Sequence, residues 1–522
     1  MSATRSESVG LKPVAHRALG RQFIVNSIAT AIFYAISLLI GLWYAPFTLH
    51  HLGISMQAVV PLAAGFITYM QFVTNGIGGS VGRFVLADIA RGDAEAANAT
   101  FNTFLVASER VALILIAAIS VIVWFVVPHL DYPPGHLNST RFVFAGILCS
   151  VIIQLWCLCF DCAIWISGRI DVRSAILTAE LLIRVGTVVA LFTVMQPSLW
   201  HIGAACLAAP MGSLILYYIA WRKLAPELSI DRTKFDARKF REIRGMGGWL
   251  LVFQLGAAMQ FNADLILLNL LLGRELQGSY AMLLVWSNML RGLFGSMGQL
   301  VSPSVAAYQA SGENEKLAHF AINSVRIQGM LISIPVGVLC GLAGPVLRCW
   351  LRPEYGYLAD LLAPMAWLIL VPLVLEGSFN PVFILIQAPE AIPFPAKASV
   401  ALGLLNVVLG FSLVKFTGMG IYGMALAVAT TLILRYAVVL PIYAAKVMHQ
   451  PWYVLIQQQA QIVIQLAITG GLAWYASQYV HGRSLPQLVL AASAAGAIAT
   501  VIAALQLSQP ERERLLALVR RR

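Results

Sequence analysis

The chain predicts an all-α, polytopic membrane protein of about 14 transmembrane helices: two six-helix bundles related as parallel repeats, plus two C-terminal helices. Three observations lead there. Of 522 residues, 59% are hydrophobic and only 11% are charged, against roughly 25% charged in soluble domains. Apolar stretches of about 20 residues recur from end to end, each long enough to span a hydrocarbon core roughly 30 Å thick. Lipid supplies no partners for backbone N–H and C=O groups, so these stretches must be helices. Finally, the first half slides onto the second at an offset of 220 residues, without gaps over 52–95.

Taken in order, the first span lies near 22–48. Its apolar run has no small-residue cleavage site and exceeds the roughly 7 to 15 residues of a signal-peptide core, so it reads as a membrane helix rather than a leader. Charged or proline-rich breaks then separate spans near 58–82, 104–127, 142–166, 174–196 and 199–221. The longest hydrophilic connection, WRKLAPELSIDRTKFDARKFREIR at 221–244, holds eight basic residues and reads as the joint between bundles. A second set follows near 247–272, 279–306, 321–347, 358–386, 396–416 and 419–445, and two more spans lie near 455–479 and 485–507. The predicted organisation is an N-terminal bundle at 1–221, a basic cytoplasmic linker at 222–246, a C-terminal bundle at 247–446, and two further helices with a basic tail at 447–522.

An even number of spans puts both termini on one side, and basic residues in short loops decide which. With the N-terminus inside, 24 Lys and Arg fall in inner tails and loops and 6 in outer ones. Both termini are therefore expected in the cytoplasm. The formal net charge of +12 reads as topology and contact with anionic lipid, not as a nucleic-acid surface.

Two motifs invite chemical readings that the context disfavours. The stretch GIGGSVGRFVLADIARGD at 76–93 lacks the glycine spacings of a phosphate loop and follows no short strand. It reads instead as the inner end of the second span and the elbow into the third, matching SMGQLVSPSVAAYQASGE at 296–313. CLCFDC at 157–162 sits inside an apolar run, where small buried thiols are a better account than a metal site. No metal is expected.

The offset pairs Leu52 with Leu272, Gly53 with Gly273, Gln57 with Gln277, Gly78 with Gly298 and Gly92 with Gly312. Six spans per repeat give both halves the same orientation, so the repeats are parallel, an arrangement suited to alternating access around a cleft.

The stretches HHLG (50–53), GIGGSVGRFVLADIARGDAEAANATFNT (76–103), FNADLILLNLLLG (261–273), GSY (278–280) and Pro303 resemble the multidrug, oligosaccharidyl-lipid and polysaccharide exporter superfamily. Within it they resemble the oligosaccharide flippases of surface-polysaccharide (O-antigen type) synthesis. Two spans beyond twelve are similar to the branch that carries lipid-linked substrates. The resemblance implies a non-enzymatic transporter without a cofactor. Its cavity turns a polyprenyl-diphosphate-linked oligosaccharide from the cytoplasmic to the periplasmic leaflet by alternating access. It also implies a monomer in membrane lipid, beside a polysaccharide polymerase and a chain-length regulator. The alternatives are a cation-coupled exporter of drugs or small amphiphiles with the same fold, a membrane glycosyltransferase, and a scaffold of polysaccharide synthesis.

Ionisable side chains inside spans are costly and therefore mark function. Arg291, near the middle of the eighth span, shares a stripe with Ser287, Asn288 and Gln299. Subtracting the offset from 288, 291 and 295 gives Thr68, Gln71 and Asn75 on the second span. Both stripes are expected to line a cleft, with Arg291 contacting a diphosphate or an acidic sugar. Lipid II flippases of the superfamily carry several cavity arginines on the first, second and eighth spans; here the second offers Gln71 and the first only Arg21 at its edge. Asp264, with Gln260 four residues before it, is a candidate for the cleft or for H⁺ or Na⁺ coupling. Glu180 and Arg184, spaced i,i+4, form either a structural pair or part of the cavity. Glu109, Arg110, Asp161, Arg326 and Arg435 lie near inner span ends, where their side chains are expected to reach water.

Overall fold

A computed structural model describes residues 16–311, 313–386 and 391–506, and every regular element among them is helical. In chain order these are α1 (His16–Gln57), α2 (Val59–Ala90), α3 (Ala94–Val121), α4 (Leu137–Ser167), α5 (Ile170–Val194) and α6 (Leu199–Leu224). The second half holds α7 (Ala237–Leu272), α8 (Arg274–Ala310), α9 (Asn314–Gly341), α10 (Ala343–Trp350), α11 (Gly356–Ser378) and α12 (Asn380–Ile386). It closes with α13 (Pro393–Phe416), α14 (Ile421–Ile433), α15 (Leu440–Val447), α16 (Val454–Ser477) and α17 (Leu485–Leu505). They fall into successive rods, one per predicted span: α9 and α10 cover 321–347, α11 and α12 cover 358–386, and α14 and α15 cover 419–445. Eleven rods among the described residues are long and apolar enough to cross a membrane. The basic tail at 508–522 lies outside the described residues.

The repeat is visible in the backbone. Subtracting 220 from the limits of α9 returns the limits of α3. Gly53 and Gly273, which the offset pairs, both take left-handed conformations, with φ of 73° and 84°. A side chain is strained there, so glycine is the residue that lets the chain turn. The stretch at 76–93 completes α2 and turns at Gly92, where Asp93 caps α3 by accepting a hydrogen bond from the Ala96 N–H at 2.8 Å.

The chain packs as two compact units. One holds residues up to Tyr44 and Phe66–Leu251; the other holds Ala45–Gly65 and Val252 onward. The bend at the end of α1 and the start of α2 thus belongs with the C-terminal helices, where Gln277 Nε2 donates to the Ala58 carbonyl at 3.2 Å. The C-terminal pair α16 and α17 is part of this second unit, with α16 lying along α9.

In the first unit, Phe101 stacks on Trp221 at 5.5 Å, and Phe160, Cys157, Cys159 and Cys162 fill the same core. Lipid is as apolar as leucine, so helices associate through close packing and hydrogen bonds rather than through the hydrophobic effect. Both devices are present. A Cβ on Gly146 of α4 would stand 2.5 Å from the Gly203 carbonyl of α6. In the second unit, polar side chains reach across to backbone carbonyls: Ser399 to Phe253 at 2.9 Å, Gln328 to Gly377 at 3.0 Å and Gln465 to Ala499 at 2.9 Å. A wider helical turn at Leu434–Val439 joins α14 to α15, and Gln459 of α16 donates to the Tyr436 carbonyl there at 2.6 Å.

The predicted linker is strapped along α3. Asn98 and Asn102 each bond the passing chain as donor and acceptor: Ser229 N–H to Asn98 at 2.8 Å, Asp231 N–H to Asn102 at 2.7 Å, and the return bonds to the Glu227 and Ser229 carbonyls at 2.9 Å. Glu109 pairs with Arg232 at 2.6 Å, and Arg110 lies over the Phe235 ring. Farther along, Lys239 Nζ bridges Asp88 at 2.8 Å and the Ala96 carbonyl at 2.7 Å. Burial pushes the Asp88 carboxyl up. Hydrogen bonds from Lys239 and Thr100, with the charges of Lys239 and Arg91, outweigh this and hold it below the usual carboxylate range.

Candidate functional site

Each unit gathers ionisable side chains that a membrane helix would otherwise exclude. In the second unit, the middle of α8 presents Arg291 to α11. Its Nε donates to both carboxylate oxygens of Glu376 at 3.1 and 3.2 Å, its Nη1 donates to Ser287 Oγ at 3.1 Å, and the guanidinium lies 4.3 Å over the Phe261 ring. The two charged side chains are 24% and 17% exposed. Ser287 and Arg291, read as neighbours on one stripe, are brought together; Asn288 is exposed. The side chains of Gln299 and Asn75 lie outside those described. Glu376 is the partner that sequence reasoning missed. It stands among the acids within spans, but nothing in a single sequence connects residues 85 apart.

Asp264 and Gln260 share a face of α7 and take different partners. Asp264 is buried and accepts from the Tyr280 hydroxyl at 2.9 Å and the Leu265 N–H at 2.8 Å. Gln260 accepts from Arg435 Nη1 at 2.6 Å. Arg435 was expected to reach water from a span end, and the structure corrects this. It is 1% exposed in the wide turn between α14 and α15, its guanidinium 4.9 Å over the Phe253 ring. That turn rotates its side chain inward, where an amide oxygen and an aromatic face replace hydration.

The first unit contains a cavity of about 370 Å³. Glu180 and Arg184 line it and pair with each other at 3.2 Å, so the i,i+4 pair and the cavity residues predicted as alternatives are the same residues. Gln71 and Thr74 of α2 line it too, whereas Thr68 is half-buried outside its lining. Two further members are Arg173 of α5, which sequence reading did not single out, and Asp161 of α4, which was expected to reach water from a span end and is instead buried against the α5 stripe. Their ion pair measures 3.3 Å from Arg173 Nε to Asp161 Oδ2. Residues 173, 177, 180, 181 and 184 of α5 all line the cavity, a helical stripe that was legible in the spacing. Asp161 is 3% exposed, and its Oδ1 has no hydrogen-bond partner among the described residues; Arg173 Nε and Arg184 Nε likewise have none. At the mouth of α5, Asp171 accepts a two-point contact from Arg169 and a bond from Gln22 at 3.0 Å.

No bond-breaking constellation is needed for what these groups can do. Paired charges and amides within apolar helices can hold a polar solute away from hydrocarbon, and pairs that can open can exchange an internal partner for a ligand.

No family model matches the chain. It is 31% identical over 428 residues to the uncharacterized membrane protein EpsK of Bacillus subtilis (strain 168), covering 82% of this chain and 84% of EpsK. Among solved structures it is similar to the lipid II flippase MurJ in an inward closed conformation, with a TM-score of 0.66 and 13% identity over 92% of this chain and 98% of MurJ. It is also similar to an inward-facing multidrug resistance MATE family transporter of the MOP superfamily, with a TM-score of 0.63 and 14% identity over 84% of this chain and 98% of that one. These likenesses show the fold of the MOP superfamily.

Proposed function

This chain belongs to the family of the membrane protein EpsK and has the MOP-superfamily fold, and from that premise we propose that it is a flippase. Its cargo is a polyprenyl-diphosphate-linked oligosaccharide, moved from the cytoplasmic to the periplasmic leaflet by alternating access for surface-polysaccharide synthesis. Both termini lie in the cytoplasm, and a polymerase and a chain-length regulator act on the delivered product. The observation that carries this reading is the cavity of about 370 Å³ lined by two ion pairs within otherwise apolar helices. A headgroup of sugars must be sheltered from hydrocarbon while its prenyl chain stays in lipid, and such a cavity shelters part of it. Arg291, with Ser287, Asn288 and Gln299, is the contact for diphosphate. Arg291 Nε meets both oxygens of the Glu376 carboxylate, and when that pair opens the planar guanidinium offers phosphate the paired donors it requires. Asp264, hydrogen-bonded to Tyr280, is the group that takes up H⁺ or Na⁺.

The test is reconstitution of the full chain in liposomes that carry a short polyprenyl-diphosphate disaccharide in one leaflet. Transfer is read as the fraction of sugar that becomes available to an enzyme added outside. The reading predicts protein-dependent transfer. A rate equal to that of protein-free liposomes, with the protein shown to be folded and inserted, refutes it.

A further inference from the structure

We propose that the cavity of the first unit is a subsite for an uncharged saccharide unit of the cargo, of mono- or disaccharide size, rather than for its diphosphate or for an acidic sugar. The inference deepens the flippase reading and rests on it.

Charge is the first argument. The lining carries two carboxylates, Asp161 and Glu180, and two guanidiniums, Arg173 and Arg184, each paired within the lining. Their formal charges cancel. An anionic ligand that reached the unused guanidinium edges would stand beside the paired carboxylates, and repulsion from Asp161 and Glu180 in a poorly screened wall opposes it. A neutral ligand meets no such penalty.

The second argument is the form of the polar groups. Carboxylates, guanidiniums and the amides of Gln71 and Gln154 are planar forks, offering acceptors and donors in pairs spaced to meet neighbouring hydroxyls. Internal pairing leaves capacity unused. Asp161 Oδ1 is a buried acceptor, and Arg173 Nε and Arg184 Nε are buried donors, all without partners among the described residues. The ion pair from Arg173 Nε is close enough for attraction but not aligned for a hydrogen bond. A buried polar atom left unsatisfied costs roughly 1 to 3 kcal/mol. Hydroxyls, which both donate and accept, are the chemistry that satisfies both kinds of atom at once. Phe33 and Tyr217 add aromatic surface to the lining for the apolar faces of a sugar ring.

Size and position agree. A volume of about 370 Å³ lies at the small end of the roughly 300 to 1,000 Å³ found for ligand sites, too small for a whole repeat unit with its diphosphate. Arg173 and Arg184 lie on one face of α5, about 16 Å apart along the axis at 1.5 Å per residue. The polar stripe thus runs inward from the end of the helix, and both arginines keep 37% of their side-chain surface exposed.

The experiment is saturation-transfer NMR on the purified full chain in detergent, with lactose, maltose and chitobiose as neutral probes and glucuronate and inorganic pyrophosphate as charged ones. At least one neutral disaccharide should give a saturable signal that neither charged probe displaces. Gln154→Leu and Asp161→Asn should each weaken it about tenfold, the loss of one hydrogen bond to a charged or buried group. Arg348→Ala, at an exposed pair with Asp360, should leave it unchanged. Gln154→Leu removes no charge, so it remains informative if Asp161→Asn fails to fold. Absence of a saturable signal from all three neutral probes, displacement by glucuronate or pyrophosphate at equal concentration, or indifference to Gln154→Leu overturns the assignment. Transfer in liposomes without saccharide binding removes this subsite and leaves the flippase reading intact. Cavity-dependent binding without transfer does the reverse.

Discussion

Arg291 offers the clearest separation of a structural from a transport role, because its internal partner is known. The perturbation is a cycle of Arg291→Met, Glu376→Gln and the double variant. Two unit charges about 4 Å apart attract by about 4 kcal/mol at an effective dielectric constant of 20. Here both side chains keep some contact with solvent, 24% and 17% exposed. The coupling therefore belongs between the roughly 1 kcal/mol of surface pairs and the roughly 3 to 5 kcal/mol lost when one member of a buried pair is removed. We expect about 2 kcal/mol. Each single variant strands a charge; the double variant strands none and should recover most of that coupling. It still lacks the Ser287 bond and the contact with Phe261, together about 1 to 2 kcal/mol. Stability is read by equilibrium unfolding in mixed micelles, and transfer by the liposome assay on the same preparations. The proposed function predicts that the double variant folds and does not transfer. Transfer at the wild-type rate would show that Arg291 serves only Glu376, and a coupling below about 0.5 kcal/mol would refute the pairing itself.

Other outcomes follow from the same arrangement. Asp88→Asn should destabilise the chain by roughly 1 kcal/mol at neutral pH, because it weakens the bridge to Lys239. The folded Asp88 carboxyl lies below its unfolded value, so its contribution is complete above about pH 4 and is lost as pH falls through the lower folded value. The difference in melting temperature between wild type and Asp88→Asn should vanish in strong acid, and a difference that persists there would refute the account. Single cysteines near 236 should react with impermeant reagents only from the cytoplasmic side, and those within 129–140 only from outside; labelling of 236 from the periplasm would invert the topology. Asp264→Asn should lower transfer with normal expression, and unchanged transfer over imposed H⁺ and Na⁺ gradients would remove Asp264 from coupling.

What could be read from the chain alone divides along a physical line. Apolar stretches against charged breaks located the helical rods, because hydropathy depends only on position along the axis. The offset located the repeat well enough that α9 and α3 share their limits. Lengths were underestimated wherever helices run on past the apolar stretch, as α7 does by starting at Ala237, since polar residues continue a helix without signalling it. Contacts between rods depend instead on rotation about each axis. Short-range pairs such as Glu180 with Arg184 fix that rotation by themselves, and the stripe on α5 was open to reading. Pairs such as Arg291 with Glu376 and Gln260 with Arg435, 85 and 175 residues apart, depend on how two helices turn toward each other. The wide turn at Leu434–Val439 adds a further rotation that no hydropathy pattern marks. It carries Arg435 from an expected wet helix end into the core. The side chains most exposed to misreading are therefore those on which a transporter depends: charges inside spans, whose position along the axis is plain and whose direction is set only by the packed fold.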